Sequence, residues 1–288
     1  MEFIFHLIIT VCSWIPIVLS FSFLFGRGKV MHFGAVGVSV AAGYGLFLTV
    51  LATGSYLLGI AVGLLVASLV SSFFAWLSFR LDSDGLGVMS IAVHLGILSI
   101  ILNWTSLTRG ALGLPRIPRL AFLESQGHLA LAASLVAIAW ILLFLWISRS
   151  SLGRQMSALA EQEWNAKALG INRIRVHWIA FLLLGATTVS DNFFFGQQLR
   201  LYHPNDGQFP AFVFLMTLMV AGGPGRVWGA VLSSVTLVLL REGLRFLPLL
   251  IPIPVQILGP LQLLFFGGIL LGAVYLQRDT LFPQKRTI

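Results

Sequence analysis

The sequence has few charged residues and only one cysteine. Asp, Glu, Lys and Arg make up 10% of the 288 residues, whereas soluble domains carry about 25%. Cys12 stands alone, which excludes a disulfide or a cysteine metal site within one chain. The six histidines are dispersed, and the apolar runs hold no paired carboxylates. No catalytic constellation or metal site is therefore predicted.

The sequence also lacks a nucleotide-binding loop. A phosphate-binding loop reads GxxxxGK[ST], and the glycine-rich stretch 222–226 (GGPGR) has neither the lysine nor a preceding strand. The chain itself is therefore not expected to bind ATP, Mg²⁺ or another cofactor.

Apolar residues, in contrast, make up 58% of the chain and fall into long runs separated by short basic segments. Runs of this length indicate transmembrane helices. We predict an all-α, polytopic membrane protein with eight or nine spans in one domain over 1–288. Glu2 precedes 23 residues without charge, which indicates a retained first span, not a cleaved signal. The expected spans are about 3–25, 33–53, 55–79, 85–103, 128–148, 174–195 and 261–277, with short runs at 209–222 and 227–240.

The two short runs leave the number of spans in the C-terminal third undecided. Each has only some 14 residues, whereas a crossing needs about 20. They are tilted, broken or re-entrant, or longer than hydropathy shows. Stretch 246–260 holds four prolines and predicts a kinked or interfacial segment. Earlier in the chain, Gly54 predicts a very tight turn between the second and third spans.

The distribution of basic residues predicts the orientation. With nine crossings, 12 of the 18 basic residues lie on the side of segment 149–177, and 6, including Arg241 and Arg245, lie on the other. The positive-inside rule then places the N-terminus outside and the C-terminus in the cytoplasm. Because the basic residues lie at span ends, topology explains the net charge of +8 better than nucleic-acid binding does.

Segment 149–177 is the most polar part of the chain. Its apolar residues recur every three or four positions, which predicts one short helix that ends at Gly170. The predicted stripe consists of Met156, Ala160, Trp164, Ala168 and Ile171. Periodicity leaves two interpretations open: an interfacial amphipathic helix that connects two spans, or a helix that docks into a soluble partner.

Residue order favours docking. Glu163, Ala166 and Gly170, within GRQMSALAEQEWNAKALGIN, resemble the EAA-type cytoplasmic coupling loop of ABC importer permeases, although Asn165 stands where a second alanine is usual. The stretch 103–118, NWTSLTRGALGLPRIP, closely resembles the NWxxLTGGxxGLxGIP loop of branched-chain amino-acid permeases. Arg109 and Arg116 replace glycines of that pattern.

Three further stretches agree in order and spacing with the same family. They are MHFGAVGVSVAAGY at 31–44, AGGPGRVWGA at 221–230 and the tail LFPQ at 281–284. The resemblance thus covers nearly the whole chain, and the NW loop makes the LivM-type permeases the better match.

The resemblance implies one permease subunit of a bacterial ABC importer in the inner membrane, not an enzyme. Its implied partners are a second permease, two cytoplasmic ATPases that bind ATP and Mg²⁺, and a solute-binding protein. Branched-chain or other hydrophobic amino acids are the implied cargo, with urea or short amides possible in the wider family. The implied ATPase-coupling residues are Arg154, Glu161, Glu163, Trp164, Ala166 and Gly170, and the candidate contacts to the binding protein are Arg109, Arg116 and Arg200.

Polar residues inside apolar runs are costly in lipid and are candidates for a transport pathway. We single out His94, Asn103, Asp191 and Asn192. For His94 the alternative is a hydrogen-bonded packing residue, and for Asp191 and Asn192 it is a span that ends at the interface. The glycines of 222–226 mark either a broken helix that faces a cavity or a tight turn.

Two other function classes remain open. A secondary carrier driven by an ion gradient usually needs intramembrane carboxylates, and Asp191 is the single candidate in the runs. An integral membrane enzyme or scaffold is the other alternative, and an enzyme needs polar residues clustered at one depth. Co-purification with ATPase subunits separates these alternatives from an importer subunit.

Overall fold

A computed structural model describes residues 1–250 and 254–278, and helices form most of it. The helices are α1 (Glu2–Phe21, continued by a π-helical segment Ser22–Arg27), α2 (Ala35–Thr53), α3 (Tyr56–Arg80), α4 (Ser83–Asn103), α5 (Thr105–Thr108), α6 (Gln126–Arg149), α7 (Ser151–Glu161), α8 (Glu163–Ala168), α9 (Arg173–Leu199), α10 (Phe209–Ala221), α11 (Val227–Leu244), α12 (Leu247–Leu250) and α13 (Val255–Leu276). Two short strands, β1 (Leu114–Pro115) and β2 (Leu201–Tyr202), pair antiparallel.

Eight of these helices are long and apolar enough to cross a membrane, and α10 is a shorter apolar helix of 13 residues. The predicted all-α polytopic class is therefore confirmed. The predicted tight turn is also confirmed, because Gly54 ends α2 in the left-handed region at φ 71°. The tail motif 281–284, the basic residues Lys285 and Arg286, and Pro252 lie outside the described residues.

Helices α1, α2 and α9 form the centre of the bundle. Helix α1 packs against α6, α9 and α11, while α9 also packs against α2 and α3. On α3, a stripe of small residues repeats every four positions and is buried: Gly59, Gly63, Ala67 and Ser71. Small residues let helix backbones approach closely, which drives helix association in lipid. The stripe therefore fixes α3 between α2 and α9.

The contacts divide the bundle ends into two faces. One face, here called the docking face, gathers Arg27, Ser78, segment 149–175 and the turn 222–226. Arg27 Nε donates to Ser157 Oγ at 2.8 Å, and the Gly225 amide donates to Ser22 Oγ at 2.9 Å.

The opposite end, here called the loop face, holds the N-terminus and the segments 104–125 and 200–208. Its parts are joined by Gln198, whose side chain hydrogen-bonds His6, and by Ile117, whose amide donates to the Arg200 carbonyl at 3.1 Å. The first residue of the chain and the docking segment thus lie on opposite faces, as the predicted topology requires.

The two short C-terminal runs differ from each other in the structure. Helix α10 is short because loop 200–208 enters the bundle: Tyr202 donates to the Ser39 carbonyl at 3.3 Å, and Gly207 packs against Val40. A helix of 13 residues spans about 20 Å, less than the apolar core of about 30 Å.

Helix α11, in contrast, extends to Leu244 and includes Arg241 and Glu242. Of the alternatives left open, α11 is therefore longer than hydropathy shows, and the placement of Arg241 in an outer loop is wrong because this residue lies inside the helix. The last helix begins at Val255, not at about 261, and holds Pro260 inside it. Pro260 is the sixth residue of α13, beyond the first turn, so it removes the hydrogen bond to the Gln256 carbonyl, yet the helix continues past it.

The α3 stripe predicts a stability difference between two glycines. A β-carbon at Gly59 would lie 2.9 Å from the Leu46 carbonyl oxygen and 2.4 Å from a Val50 methyl, whereas one at Gly96 on α4 meets nothing within 4 Å. Overpacking costs about 1–3 kcal/mol. Gly59→Ala should therefore lower the melting temperature of the purified protein, and Gly96→Ala should leave it unchanged or raise it. Equal melting temperatures for the two variants would contradict the close contact of α2 and α3.

Candidate functional site

The docking segment forms two helices instead of the one predicted. The chain is extended at Gln162, with φ −150° and ψ 89°, between α7 and α8. The four-residue spacing therefore does not continue across the break. Met156 is buried whereas Trp164 is 85% exposed, so these two residues of the predicted stripe do not share one face. The single stripe is wrong beyond the break, and the buried residue of α8 is Ala166.

Helix α7 rests on the end of the first span. The Met156 side chain packs so closely on Gly28 that a β-carbon there would lie 2.0 Å from its ε-methyl group. The Arg27 hydrogen bond to Ser157 lies beside this contact. Helix α7 is therefore in direct contact with the end of the first span.

Helix α8 is joined to two spans by Glu163 and Arg173. The Glu163 carboxylate pairs with Lys167 at 2.6 Å and with Arg173 at 2.9 Å, and Arg173 also donates to the Ser78 carbonyl at 2.6 Å. Partial burial alone would raise the pKa of the Glu163 carboxyl, but these two cations outweigh it and hold the pKa below its usual value. Arg173 starts α9 and Ser78 lies near the end of α3, so Glu163 connects the docking segment to both helices.

The outward side of the docking segment presents Arg154, Glu161, Trp164 and Gly170, all of which are exposed. The Lys167 ammonium lies 5.9 Å from the Trp164 ring centroid, within cation–π range. Helix α8 ends at Ala168, and Gly170 has φ 81°, which confirms the predicted helix stop. The predicted coupling residues thus divide into an exposed group and an anchoring pair, Glu163 and Ala166.

The four pathway candidates are not brought together. Asn103 is exposed at the end of α4, where its side chain donates to the Ser99 carbonyl at 2.8 Å. His94 is buried and packs against Gly37 of α2. Their roles in a pathway stay predictions.

Asp191 and Asn192 are neighbours on α9, but they face different surroundings. Asn192 is buried, and its amide donates to the Ser39 carbonyl at 2.7 Å. It therefore ties α9 to the first turns of α2 at the depth that Tyr202 reaches. Asp191 is half-buried beside it, so the two neighbours do not share one environment.

The glycines of 222–226 form a tight turn between α10 and α11. Gly223 and Gly225 have φ 86° and 80°, and the turn packs on α1, where a β-carbon at Gly26 would lie 2.2 Å from the Gly225 amide nitrogen. Of the two interpretations of 222–226, the tight turn is therefore the one that the structure shows.

The exposed arginines of the loop face share an unusual backbone conformation. Arg109, Arg116 and Arg200 have φ 63°, 60° and 57°. Non-glycine residues pay about 1–2 kcal/mol in this left-handed region. Arg109 and Arg116 stand where glycine is usual in the resembled loop. The loop therefore keeps a positive φ at these two positions although the residue is no longer glycine. The register of β1 and β2 continues to place Arg116 opposite Arg200.

Two polar clusters of the loop face were missed by sequence reasoning. Arg119 donates to the carbonyls of Gln197 and Gln198. Glu242 is buried and pairs with Arg245 at 2.8 Å and with His6 at 3.5 Å. Both clusters join residues far apart in the chain; the REGLR sequence at 241–245 was the available signal for the second.

Comparison with known proteins places these features in a family context. A family model for the permease component of branched-chain amino acid transport systems matches residues 3–274. The high-affinity branched-chain amino acid permease protein LivM of Salmonella typhimurium is 24% identical over 91% of this chain and 68% of LivM. LivH of the same organism is 26% identical over 62% of each chain.

A solved structure adds evidence on the fold. The structure of PsaBC from Streptococcus pneumoniae in complex with Fab aligns with a TM-score of 0.52 and 16% identity, over 98% of this chain and 94% of that chain. At this identity the likeness concerns the fold alone.

Because Arg109 and Arg116 have a left-handed backbone conformation, glycine should stabilise the protein more than alanine at these positions, the reverse of the order in a helix. Glycine adopts φ > 0 without steric cost, so Arg109→Gly and Arg116→Gly should each be more stable than the matching alanine variant, by about 1 kcal/mol. Arg175, exposed in the first turn of α9, is the matched control: there alanine should be the more stable substitution. Thermal unfolding of the six variants in one detergent tests the difference, and alanine equal to or better than glycine at 109 and 116 would contradict it.

Proposed function

Because this chain belongs to the family of branched-chain amino acid transport permease components, we propose that it is one membrane subunit of an ATP-driven bacterial importer. The proposed cargo is branched-chain or other hydrophobic amino acids, with urea or short amides as the alternative within the wider family. The observation that carries the proposal is the docking segment. It exposes the Trp164 side chain and contacts the ends of α1, α3 and α9.

The proposed ATPase contact is the exposed side of α7 and α8. Trp164 is 85% exposed, and exposed tryptophans are typical anchors of protein interfaces. Arg154 and Glu161 are exposed on the preceding helix. An ATPase subunit would bind this surface and would supply the ATP and Mg²⁺ that this chain has no loop to hold.

The anchoring contacts suggest how motion would reach the membrane. Helix α7 contacts the end of α1 through Arg27, and α8 contacts α3 and α9 through Arg173. A force on the docking segment would therefore act on three spans at once. We infer an alternating-access cycle, in which closure of two ATPases moves these spans and exposes the pathway to each side in turn.

The opposite face would receive the substrate. We infer that Arg109, Arg116 and Arg200 contact a solute-binding protein, because all three are exposed there and two of them lie opposite each other. The strain of their backbones is consistent with side chains retained for a contact. This assignment places the N-terminus outside and the C-terminus in the cytoplasm.

A second permease would cover part of the remaining apolar surface. Helix α13 is the least buried of the eight long helices, and large side chains such as Leu264, Leu271 and Tyr275 are exposed on it. We propose that part of this surface is covered by the partner permease and the rest by lipid.

The first test is affinity purification of the tagged chain from its native membrane, followed by mass spectrometry. A second permease and ATPase subunits should be recovered, and an accompanying binding protein would identify the cargo class. Recovery of the intact chain alone would contradict the proposal and would favour a carrier driven by an ion gradient.

Trp164→Asp should reduce recovery of the ATPase by about tenfold or more, because a buried interface tryptophan typically contributes more than 2 kcal/mol. Trp104→Asp is the matched control, since Trp104 is also exposed but lies on the loop face. Both variants should melt at the temperature of the wild type. Full recovery of ATPase with Trp164→Asp would contradict the docking assignment.

A further inference from the structure

A cavity of 380 Å³ lies between α10, α11 and α13, away from the docking segment. Its volume falls within the range of about 300–1,000 Å³ that is typical of small-molecule sites. Its walls combine apolar groups with two polar side chains. The lining residues are Pro210, Val213, Phe214, Arg241, Gly259, Pro260, Gln262, Leu263 and Phe266.

The apolar wall is well ordered by contacts between α10 and α13. The rings of Phe214 and Phe266 meet edge to face, with centroids 4.9 Å apart. Thr217, one turn further along α10, donates to the Phe266 carbonyl at 3.2 Å. Both rings are buried, so this side of the cavity is a fixed aromatic surface that suits an apolar group.

Arg241 supplies the charge of the cavity. Its guanidinium lies over the Phe214 ring at 4.7 Å. Among the described residues, no carboxylate oxygen lies within 4.0 Å of it, since the adjacent Glu242 pairs with Arg245 and His6 instead. A cation within a membrane helix is costly unless it is paired or faces a polar cavity. Arg241 therefore has donors left for an anionic group that enters this cavity.

One further residue of the cavity favours an anion next to Arg241. Gln262 lines the same cavity and adds amide donors.

We propose that this cavity binds a hydrophobic amino acid, with its carboxylate on Arg241 and its side chain against Phe214 and Phe266. This inference rests on the proposed function for the choice of ligand, because the cargo class named there is the class that fits. The observations that support it come from α10, α11 and α13 and do not involve the docking segment.

The test measures binding of L-leucine to the purified full-length chain in nanodiscs of neutral lipid, by calorimetry or thermal shift. L-Leucinol, which has the same side chain and ammonium group but no carboxylate, is the matched ligand. We expect binding of leucine that is about tenfold or more tighter than that of leucinol, because charge-assisted hydrogen bonds to a carboxylate are lost in leucinol. Equal binding of the two ligands, or no binding of leucine, would overturn the proposal.

Two pairs of variants test the position of the ligand. Arg241→Gln should weaken leucine binding about tenfold or more, whereas Arg245→Gln, just beyond the end of α11 and outside the cavity, should leave it within a few-fold of wild type. Gly259→Leu should narrow the cavity and weaken leucine binding, since a β-carbon there meets nothing within 4 Å, and Gly268→Leu, equally open but outside the cavity, is its control. Unchanged leucine binding in both Arg241→Gln and Gly259→Leu would overturn the proposal even if the wild type binds leucine.

Nanodiscs that contain phosphatidylglycerol separate an amino acid from a lipid headgroup. If thermal stabilisation through Arg241 depends on this lipid and not on leucine, the cavity holds a lipid anion and the proposal is wrong. The outcome is independent of the purification experiment. ATPase recovery without leucine binding would leave the proposed function intact and reject the cavity, and leucine binding without ATPase recovery would do the reverse.

Discussion

Close approach of helix backbones is the constraint on which the rest of this structure depends. Lipid tails are as apolar as the helix surfaces, so spans associate through tight packing and not through burial from water. Gly59 and Gly63 bring α3 onto α2, and Gly185 brings α9 onto α3. Because α9 is held in this way, the Arg173 at its start lies within reach of the Ser78 carbonyl. The position of the docking segment is therefore a consequence of helix packing deep in the bundle.

The loops of the opposite face also depend on close packing. Loop 200–208 enters the bundle, and Gly207 fits against Val40 because it has no side chain. Tyr202 fills the remaining space with its ring 5.1 Å from Phe47 and its hydroxyl on the Ser39 carbonyl. Backbone groups inside a membrane need internal partners, and β1 supplies them to this loop. The short length of α10 follows from this arrangement, since the chain has already crossed part of the membrane as a loop.

Sequence patterns predicted features that local chemistry controls. Gly54 and Gly170 were correctly assigned to turns because only glycine adopts φ > 0 without steric cost. The break at Gln162 had no such signal, since glutamine is an ordinary helix residue and the break accompanies the contact of Glu163 with Arg173, ten residues away. The end of α11 was placed too early because charged residues usually end a span. Glu242 remains buried because His6, at the other end of the sequence, lies beside it.

The pair Arg241 and Glu242 shows how neighbours in sequence serve different parts of the bundle. Successive residues on a helix point about 100° apart, so Glu242 faces α1 while Arg241 faces α10 and α13. Glu242 pairs with His6 and Arg245, whereas Arg241 lines the cavity.

Contacts also run from this cavity to the docking face. Phe214 lines the cavity on α10, and the turn that ends α10 binds Ser22 through Gly225. Arg27, at the end of the same π-helical segment as Ser22, binds Ser157 of α7. The cavity is therefore connected to α7 through α10, the turn 222–226 and the π-helical end of the first span. Packed helices move as units, and the short helix α10 contacts both the cavity and this π-helical segment.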